Sequence, residues 1–149
     1  KILKNNIFNK NIKSILCLTG AGVDAESNIK TFRGSDGTWE GHDIYNVAHP
    51  DGWKRDKGLV NSFYNERRSH LLSPSVKPNK AHYALAELDK YFEFNIVTQN
   101  ISDLHKRAGS KSVIQMHGNL LSVFCENNRE HIFEWSNSWD ASSGSFRKV

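Results

Sequence analysis

Three short segments of this chain hold the residues whose types and spacing could do chemistry. A glycine turn follows one apolar run, a pair of amide side chains ends a second run, and a histidine follows a third. These residues are Gly20, Ala21, Gly22, Gln99, Asn100 and His117. The turn matches the G-x-G-x-x-G/A pattern whose backbone amides approach a dinucleotide phosphate, and an imidazole transfers protons near neutral pH. The set indicates dinucleotide chemistry, although a glycine turn alone is equally typical of an ordinary strand-to-helix connection.

The apolar runs themselves are short and continuous, which is typical of parallel strands buried on both faces. They are residues 15–18, 94–98 and 113–116. Apolar residues at helical spacing occupy the intervening segments, at residues 59–64, 81–88 and 104–108. Gly109 then stands where a helix C-terminal cap is expected. The alternation predicts an α/β fold, a doubly wound Rossmann-like parallel sheet with helices on both faces.

The distance between the first two strands argues against a dehydrogenase. In such enzymes the second strand and its ribose-binding acidic residue follow the glycine turn by about 20 residues. Here the second strand begins near Phe94. The long insertion, residues 35–77, is therefore predicted to form a small helical module over the cofactor.

Composition excludes several classes of protein. The chain has 149 residues, of which 38% are hydrophobic and 24% charged, with a formal net charge of +4. No apolar run reaches the roughly 18 residues of a membrane span, and the basic residues form no aromatic-interleaved stripe, so neither a membrane nor a nucleic acid is an expected partner. With only Cys17 and Cys125, no disulfide framework is possible. We expect a monomer in the reducing cytoplasm.

Taken together, the motifs resemble those of the sirtuin family of NAD-dependent protein deacylases. The carrying segments are the Gly-Ala-Gly turn at residues 20–22, Thr-Gln-Asn-Ile at residues 98–101 and His-Gly at residues 117–118. The likeness runs from about Ile15 to Trp135 and is strongest to the bacterial CobB-like members that remove acidic acyl groups. That assignment depends on residues 63–68 and 78–82.

The resemblance implies a cofactor, a substrate and a reaction. An acyl-lysine oxygen of a protein or peptide attacks the nicotinamide ribose of NAD, and the products are nicotinamide and O-acyl-ADP-ribose. His117 is implied to be the general base on a ribose hydroxyl, and Asn100 to hold the ribose and an ordered water. The residues implied to contact NAD are Gly20, Ala21, Gly22, Glu26, Thr31, Phe32, Arg33, Trp39, Gln99, Asn100, Ile101 and Ser102.

Tyr64 and Arg67 are the candidate substrate-binding residues. They lie three positions apart on a predicted helix, and so share one face. The resemblance implies that they bind the carboxylate of a succinyl or malonyl group, for which arginine supplies a bidentate fork and tyrosine a hydroxyl. Without it, the same pair is typical of an ordinary helix surface. His82 and His105 are expected to be structural.

Several positions depart from the family pattern. Asp24 stands where the family has serine, and Ser102 stands where the family has the aspartate implied to bind the nicotinamide carboxamide. Asn28 and Lys30 replace the usual glycine and proline. A carboxylate at position 24 would repel cofactor phosphates unless it points away from them. The hydroxyl of Ser102 is expected to weaken nicotinamide positioning.

The last part of the chain corresponds only to the start of the family's zinc module, a predicted hairpin over residues 121–135. Cys125 matches the first zinc cysteine, but a structural site needs four ligands and only His131 is near, so zinc is not expected here. Residues 136–149 are serine-rich and predicted to be disordered.

The predicted domain organisation is a partial catalytic domain over residues 1–135. Its Rossmann half comprises residues 12–34 and 78–120. Because the family's later strands have no counterpart, we expect the first strand to form an exposed apolar edge and the isolated chain to have little activity.

Two other functions stay open. A sirtuin-like NAD hydrolase would keep the glycine turn, Asn100 and His117 without needing Tyr64 or Arg67. A non-catalytic NAD-binding remnant is favoured by the departures from the family pattern.

Overall fold

The computed structural model describes residues 12–31, 38–125 and 127–134. In chain order its elements are β1 (Ser14–Thr19), α1 (Ala21–Asp24), a 3₁₀ turn (Ala25–Ser27), β2 (Thr38–Trp39), β3 (His42–Asp43), α2 (Ile44–Val47), α3 (Pro50–Arg55), α4 (Lys57–Leu71), α5 (Lys80–Leu88), β4 (Glu93–Thr98), α6 (Leu104–Arg107), β5 (Val113–Gln115), β6 (Ser122–Cys125) and β7 (Asn128–Glu134). Within these residues no helix is long and apolar enough to cross a membrane.

A parallel sheet in the order β1-β4-β5 forms the centre of the fold. Thr19 lies opposite Thr98, and Thr98 lies opposite Gln115, so the three strands end at one edge. The predicted α/β fold with a parallel sheet is confirmed, and all three predicted strands are present. β1 is an edge strand of the described sheet, as expected.

The prediction that β1 is buried on both faces is wrong. Its side chains alternate, and Leu16 and Leu18 are 70% and 65% exposed. In β4, by contrast, Phe94 and Ile96 are 4% and 0% exposed. The difference arises because the described residues cover only one face of the sheet. The continuous apolar run of β1 therefore did not correctly predict the burial of its side chains.

The insertion between β1 and β4 contains a small hairpin as well as the predicted helices. β2 and β3 are joined by Glu40 and Gly41, whose φ angles of 49° and 83° match a type I′ turn. Asp56 caps α4 by accepting a hydrogen bond from the Leu59 backbone N–H at 2.8 Å. The predicted helix over residues 59–64 is confirmed as the first half of α4.

α4 joins the insertion to the sheet through a buried apolar cluster. Leu71 at its end packs with Val76, with Leu104 at the start of α6, and with Leu120 beyond β5. The guanidinium of Arg107 donates to the Val76 carbonyl at 2.7 Å. α6 ends as predicted, since the following Gly109 adopts φ +102°.

α5 turns only part of its predicted apolar face inward. Ala81 and Ala84 are exposed, Leu85 and Leu88 are half-buried, and His82 is 0% exposed. The Asn79 side chain accepts from backbone N–H groups of the first turn, and the Asn79 backbone N–H donates to Nδ1 of His82, which completes a capping box. The polar contacts of His82 and the two leucines together orient the helix.

A second hairpin follows the sheet. β6 pairs with β7 in antiparallel fashion, with an irregular register between Phe124 and Cys125. The predicted hairpin is confirmed, although β7 begins at Asn128, earlier than the expected second strand. The tail, residues 136–149, lies outside the described residues.

Two buried imidazoles pack together beneath the carboxyl edge of the sheet. The rings of His82 and His105 meet edge to face, with centroids 4.8 Å apart. His105 Nε2 lies 3.0 Å from the Thr19 hydroxyl, while its buried Nδ1 has no hydrogen-bond partner within the described part of the chain. Burial lowers the pKa of His105, the ring of His82 lowers it further, and the carboxylate of Asp24 opposes both.

This burial predicts acid sensitivity. The unfolded chain protonates His105 near its ordinary pKa of 6.5, whereas the folded chain does so only at lower pH. The unfolded state therefore binds more protons as pH falls below 6.5, and the free energy of unfolding decreases. Thermal unfolding at pH 7.5 and 5.5 should show a smaller drop in Tm for His105→Gln than for the unsubstituted chain. His49→Gln, at an exposed histidine, is the control, and an equal drop in His105→Gln would contradict the prediction.

Candidate functional site

The carboxyl edge of the parallel sheet gathers the three segments that the sequence singles out. The Gln99 N–H donates to the Thr19 carbonyl at 3.0 Å, and the Met116 N–H donates to the Thr98 carbonyl at 3.0 Å. The segments that leave β1, β4 and β5 therefore start side by side. In a doubly wound sheet, this edge is where ligands bind.

Asn100 links two of these segments directly. Its side-chain Nδ2 donates to the Gly20 carbonyl at 3.0 Å, and its backbone N–H donates to the Thr98 hydroxyl at 3.1 Å. The residue is 9% exposed. The amide group thus fastens the glycine turn to the loop after β4, and its side-chain oxygen is the acceptor that a ligand hydroxyl can use. This positioning role was not predicted from the sequence.

The glycine turn leaves room for a ligand to come close to its backbone. Gly20 is the N-cap of α1, in extended conformation, and no side chain caps the helix. A Cβ built on Gly22 would meet no heavy atom within 4 Å of the described structure, and Gly22 has no left-handed φ. Neither packing nor backbone conformation among the described residues requires glycine there. Gly22 therefore leaves open space at this edge of the sheet.

His117 lies in the turn that follows β5. The next residue, Gly118, adopts φ +88° and its N–H donates to the Gln115 carbonyl at 3.1 Å. The imidazole is exposed. The tight turn therefore presents His117 to solvent at the same sheet edge as Gly20 and Asn100, where a bound hydroxyl can reach it.

The remaining residues expected to contact NAD are distributed unevenly. Gln99, Glu26 and Thr31 are exposed, and Ala21 is partly exposed. Ile101 packs against the apolar cluster, and its carbonyl accepts from the Leu120 N–H at 2.8 Å. Phe32 and Arg33 lie outside the described residues. The structure brings the glycine turn, Gln99 and Asn100 together.

Trp39 contacts the two candidate substrate residues. The Trp39 and Tyr64 rings have centroids 6.2 Å apart, and the Arg67 guanidinium lies 5.6 Å from the Trp39 centroid. Phe63 completes this cluster, with the guanidinium 3.2 Å from its ring centroid. The predicted shared face of Tyr64 and Arg67 is thus an aromatic cluster around a buried cation.

Arg67 already has an anionic neighbour. It is 9% exposed, its Nη1 donates to the Phe63 carbonyl at 2.6 Å, and its Nη2 lies 3.3 Å from Oε2 of Glu40. Burial lowers the pKa of Arg67, and Glu40 and Glu66 oppose that shift. Burial also raises the pKa of Tyr64. Glu40 was missed by sequence reasoning, because 27 positions separate it from Arg67 and no local spacing reports the contact.

Sequence reasoning also missed Arg68, whose hydrogen bonds support the site. Its Nε donates to the Leu120 carbonyl at 2.6 Å, and its Nη1 donates to Asn65 Oδ1 at 2.9 Å. Burial lowers its pKa to about 10, an effect that Tyr64 opposes. The contact holds the segment after His117 against α4.

The sequence indicates that the Asp24 carboxylate would repel cofactor phosphates unless it points away from them. The structure places it in the interior. It is 3% exposed and is engaged with His82 and Ser102 in the interior. Asn28, which replaces a glycine of the family pattern, adopts φ 63°, a conformation that asparagine tolerates better than most residues. Both departures are therefore accommodated by the fold.

Metal ligands do not cluster in the described part of the chain. No group of three or more His, Cys, Asp or Glu side chains there is arranged to hold a metal ion. The side chain of Cys125 lies outside what the structure describes. The described residues therefore give no support for zinc binding.

Comparison with known proteins agrees with this geometry. The sequence profile of the Sir2 family, the sirtuins, matches residues 20–143. An NAD-dependent protein deacylase of Helicobacter pylori (strain ATCC 700392 / 26695) is 53% identical over 124 residues, covering 83% of this chain and 53% of that protein. One from Pasteurella multocida (strain Pm70) is 54% identical over 123 residues, covering 81% of this chain and 52% of that protein.

Solved structures give the same result. A mutant Sir2 homologue in complex with ADP-ribose superposes with a TM-score of 0.78 at 39% identity, covering 88% of this chain and 52% of that one. A Sir2 homologue in complex with NAD gives 0.76 at 39% identity, covering 87% and 50%. A Sir2 complex with an inhibitor, 2′-O-acetyl-ADP-ribose and a deacetylated p53 peptide gives 0.70 at 30% identity, covering 90% and 52%.

The chain spans about half the length of the curated relatives it matches. The family profile covers most of the sequence, including the glycine turn, β4, β5 and the polar residues that follow those two strands. The chain belongs to the Sir2 family and has its Rossmann-like fold.

Proposed function

We propose that this chain supplies the NAD-binding edge, the general base and the acyl-binding pocket of an NAD-dependent protein-lysine deacylase. One observation carries the proposal: Gly20, Asn100 and His117 lie at the carboxyl edge of one parallel sheet, and Asn100 Nδ2 donates to the Gly20 carbonyl. The names of the relatives and the NAD and ADP-ribose complexes of Sir2 homologues support it.

Each residue has a task that its chemistry suits. The glycine turn receives the phosphates of NAD, which supplies a ribose carbon activated by nicotinamide as leaving group. The side-chain oxygen of Asn100 accepts a hydrogen bond from a ribose hydroxyl. An imidazole nitrogen of His117 takes the proton of a ribose hydroxyl, so that this oxygen can react with the acyl group. The acyl-lysine oxygen takes the place of nicotinamide on that carbon, the ribose oxygen then bonds to the acyl carbon, and one water is consumed as the lysine amine is released. The products are nicotinamide, the free lysine and O-acyl-ADP-ribose.

The pocket around Arg67 favours acyl groups that end in a carboxylate. Its cation is buried among Trp39, Phe63 and Tyr64, and its buried Nε has no hydrogen-bond partner among the described residues. A buried guanidinium with an unused donor is best satisfied by a further anionic oxygen, besides those of Glu40 and Glu66. A succinyl or malonyl carboxylate provides that oxygen, with the hydroxyl of Tyr64 as a further donor.

The reaction itself is the first test. We would incubate the chain with NAD and a succinyl-lysine peptide and follow acyl loss by mass spectrometry. A second protein would carry this chain joined to the C-terminal half of the Helicobacter pylori relative. Activity in the joined protein should fall at least about 100-fold in His117→Ala, because general-base catalysis contributes 10²–10⁴-fold. His70→Ala, at an exposed histidine of α4, is the matched control.

The outcomes separate the candidate functions. NAD consumption without acyl transfer would indicate an NAD hydrolase and contradict the proposal. A joined protein that is folded but consumes no NAD would identify a non-catalytic remnant.

Glu40 provides a second test, specific to the acyl group. Because its carboxylate lies beside the Arg67 guanidinium, it competes with a substrate carboxylate for the same cation. Glu40→Gln should strengthen binding of a succinyl-lysine peptide about fivefold, and Arg67→Met should weaken it at least about tenfold, in line with charge-assisted hydrogen bonds. Neither change should alter binding of the acetyl-lysine peptide, measured by fluorescence anisotropy. Equal effects on both peptides would mean that the pocket does not read the carboxylate.

A further inference from the structure

Leu120, three positions after His117, has both of its backbone polar groups in use. Its N–H donates to the Ile101 carbonyl at 2.8 Å, and its carbonyl accepts from Nε of Arg68 at 2.6 Å. The Leu120 side chain is 7% exposed and packs in the apolar cluster at the end of α4. The segment after the proposed base is therefore held from two sides, by the loop after β4 and by α4.

Arg68 lies in the same part of α4 as the two candidate acyl-binding residues. It follows Arg67 directly and lies four positions after Tyr64. The two guanidinium groups have different neighbours, since that of Arg67 lies among aromatic rings and that of Arg68 bonds to Leu120. About one turn of helix thus carries the candidate acyl-binding residues and also the contact to the segment after His117.

The guanidinium of Arg68 is itself held in place. The residue is 9% exposed, and its Nη1 donates to Oδ1 of Asn65, three positions earlier on the same helix, at 2.9 Å. Burial lowers its pKa to about 10, so the group stays charged at neutral pH. A charged donor makes a stronger hydrogen bond than a neutral one. The contact between α4 and the Leu120 carbonyl is therefore a charge-assisted bond with a fixed donor.

A succinyl or malonyl group has to meet two parts of the protein at once in the proposed reaction. Its carboxylate binds beside Arg67, while its acyl carbon bonds to the ribose oxygen whose proton His117 takes. Reacting groups that are misplaced by about 1 Å can lose about 100-fold in rate. An acetyl group has no carboxylate to be held, so it is less sensitive to the distance between the two sites.

We propose that Arg68 is a positioning residue for acyl transfer: through the Leu120 carbonyl it sets the distance between Arg67 and His117. Arg68 itself binds neither NAD nor the acyl group. This inference rests on the proposed deacylase function. It gives the second arginine of the adjacent pair a part in the rate of the reaction, where Arg67 acts in recognition of the acyl group.

Amide hydrogen exchange of this chain, followed by NMR, tests the fastening without any catalysis. Arg68→Met removes the bond to Leu120 and should speed exchange of the amides of residues 118–121 about tenfold. Arg107→Met is the matched control, because the Arg107 guanidinium also donates to two backbone carbonyls of the same apolar cluster. Equal exchange rates of residues 118–121 in the two variants would overturn the proposal.

Asn65→Ala keeps the test decisive if Arg68→Met does not fold. It leaves the guanidinium in the protein and removes the acceptor of its Nη1. Exchange of residues 118–121 should then be about threefold faster than in the unsubstituted chain, since one hydrogen bond that orients the donor is lost. No change in a folded Asn65→Ala variant would overturn the proposal.

Kinetics of the joined protein test the effect on the reaction. In Arg68→Met, kcat for the succinyl-lysine peptide should fall at least about tenfold, with the KM values for NAD and for the peptide within about twofold. The kcat for the acetyl-lysine peptide should fall less, by about threefold. Arg107→Met should leave both kcat values unchanged. A higher KM with unchanged kcat, or equal losses of kcat for the two peptides, would overturn the positioning role.

The two measurements separate this inference from the proposed function. Unchanged exchange in Arg68→Met, together with an active joined protein, would overturn the inference and leave the proposed function standing. If the joined protein is folded but inactive, the proposed function fails and the role of Arg68 in the reaction fails with it. Faster exchange in Arg68→Met would in that case show that its bond to Leu120 serves stability alone.

Discussion

The parallel pairing of β1, β4 and β5 is the constraint on which the rest of the site depends. Because Thr19, Thr98 and Gln115 occupy one row of the sheet, the three segments that follow them must leave the same edge together. A shift of one residue in either pairing would turn the side chains to the opposite face. Asn100 could then no longer donate to the Gly20 carbonyl. The hydrogen-bond ladder thus sets the relation between the glycine turn, the amide and the histidine.

Below that edge, the interior contains polar side chains that hydrogen-bond to one another. Asp24 accepts from His82 and Ser102, and so connects α1, α5 and the loop after β4. Asn79 adds a bond from its Nδ2 to the Val23 carbonyl at 2.7 Å. Buried groups of this kind stabilise one arrangement only when every partner is present. The network therefore holds α1, α5 and the loop after β4 in one arrangement.

Local patterns were sufficient for the three strands of the parallel sheet, the helices between them and the edge where those strands end. The Gly109 cap follows from turn chemistry, and the motifs locate Gly20, Asn100 and His117, whereas the β2–β3 hairpin was not predicted. Burial was not predictable, because the exposure of Leu16 depends on what covers a sheet face. The contact between Glu40 and Arg67 and the bond between Asp24 and Ser102 join distant segments. No local spacing encodes such contacts, so only the fold reveals them.

Hydrogen–deuterium exchange with and without NAD tests the central claim, that the carboxyl edge of the sheet binds the dinucleotide. The account predicts slower exchange in residues 20–24, 98–102 and 116–118 when NAD is added, with the β6–β7 hairpin unchanged. Backbone amides at the glycine turn should show the largest effect, since they approach the phosphates. Protection confined to the hairpin or to α3, with none at these three segments, would contradict the account.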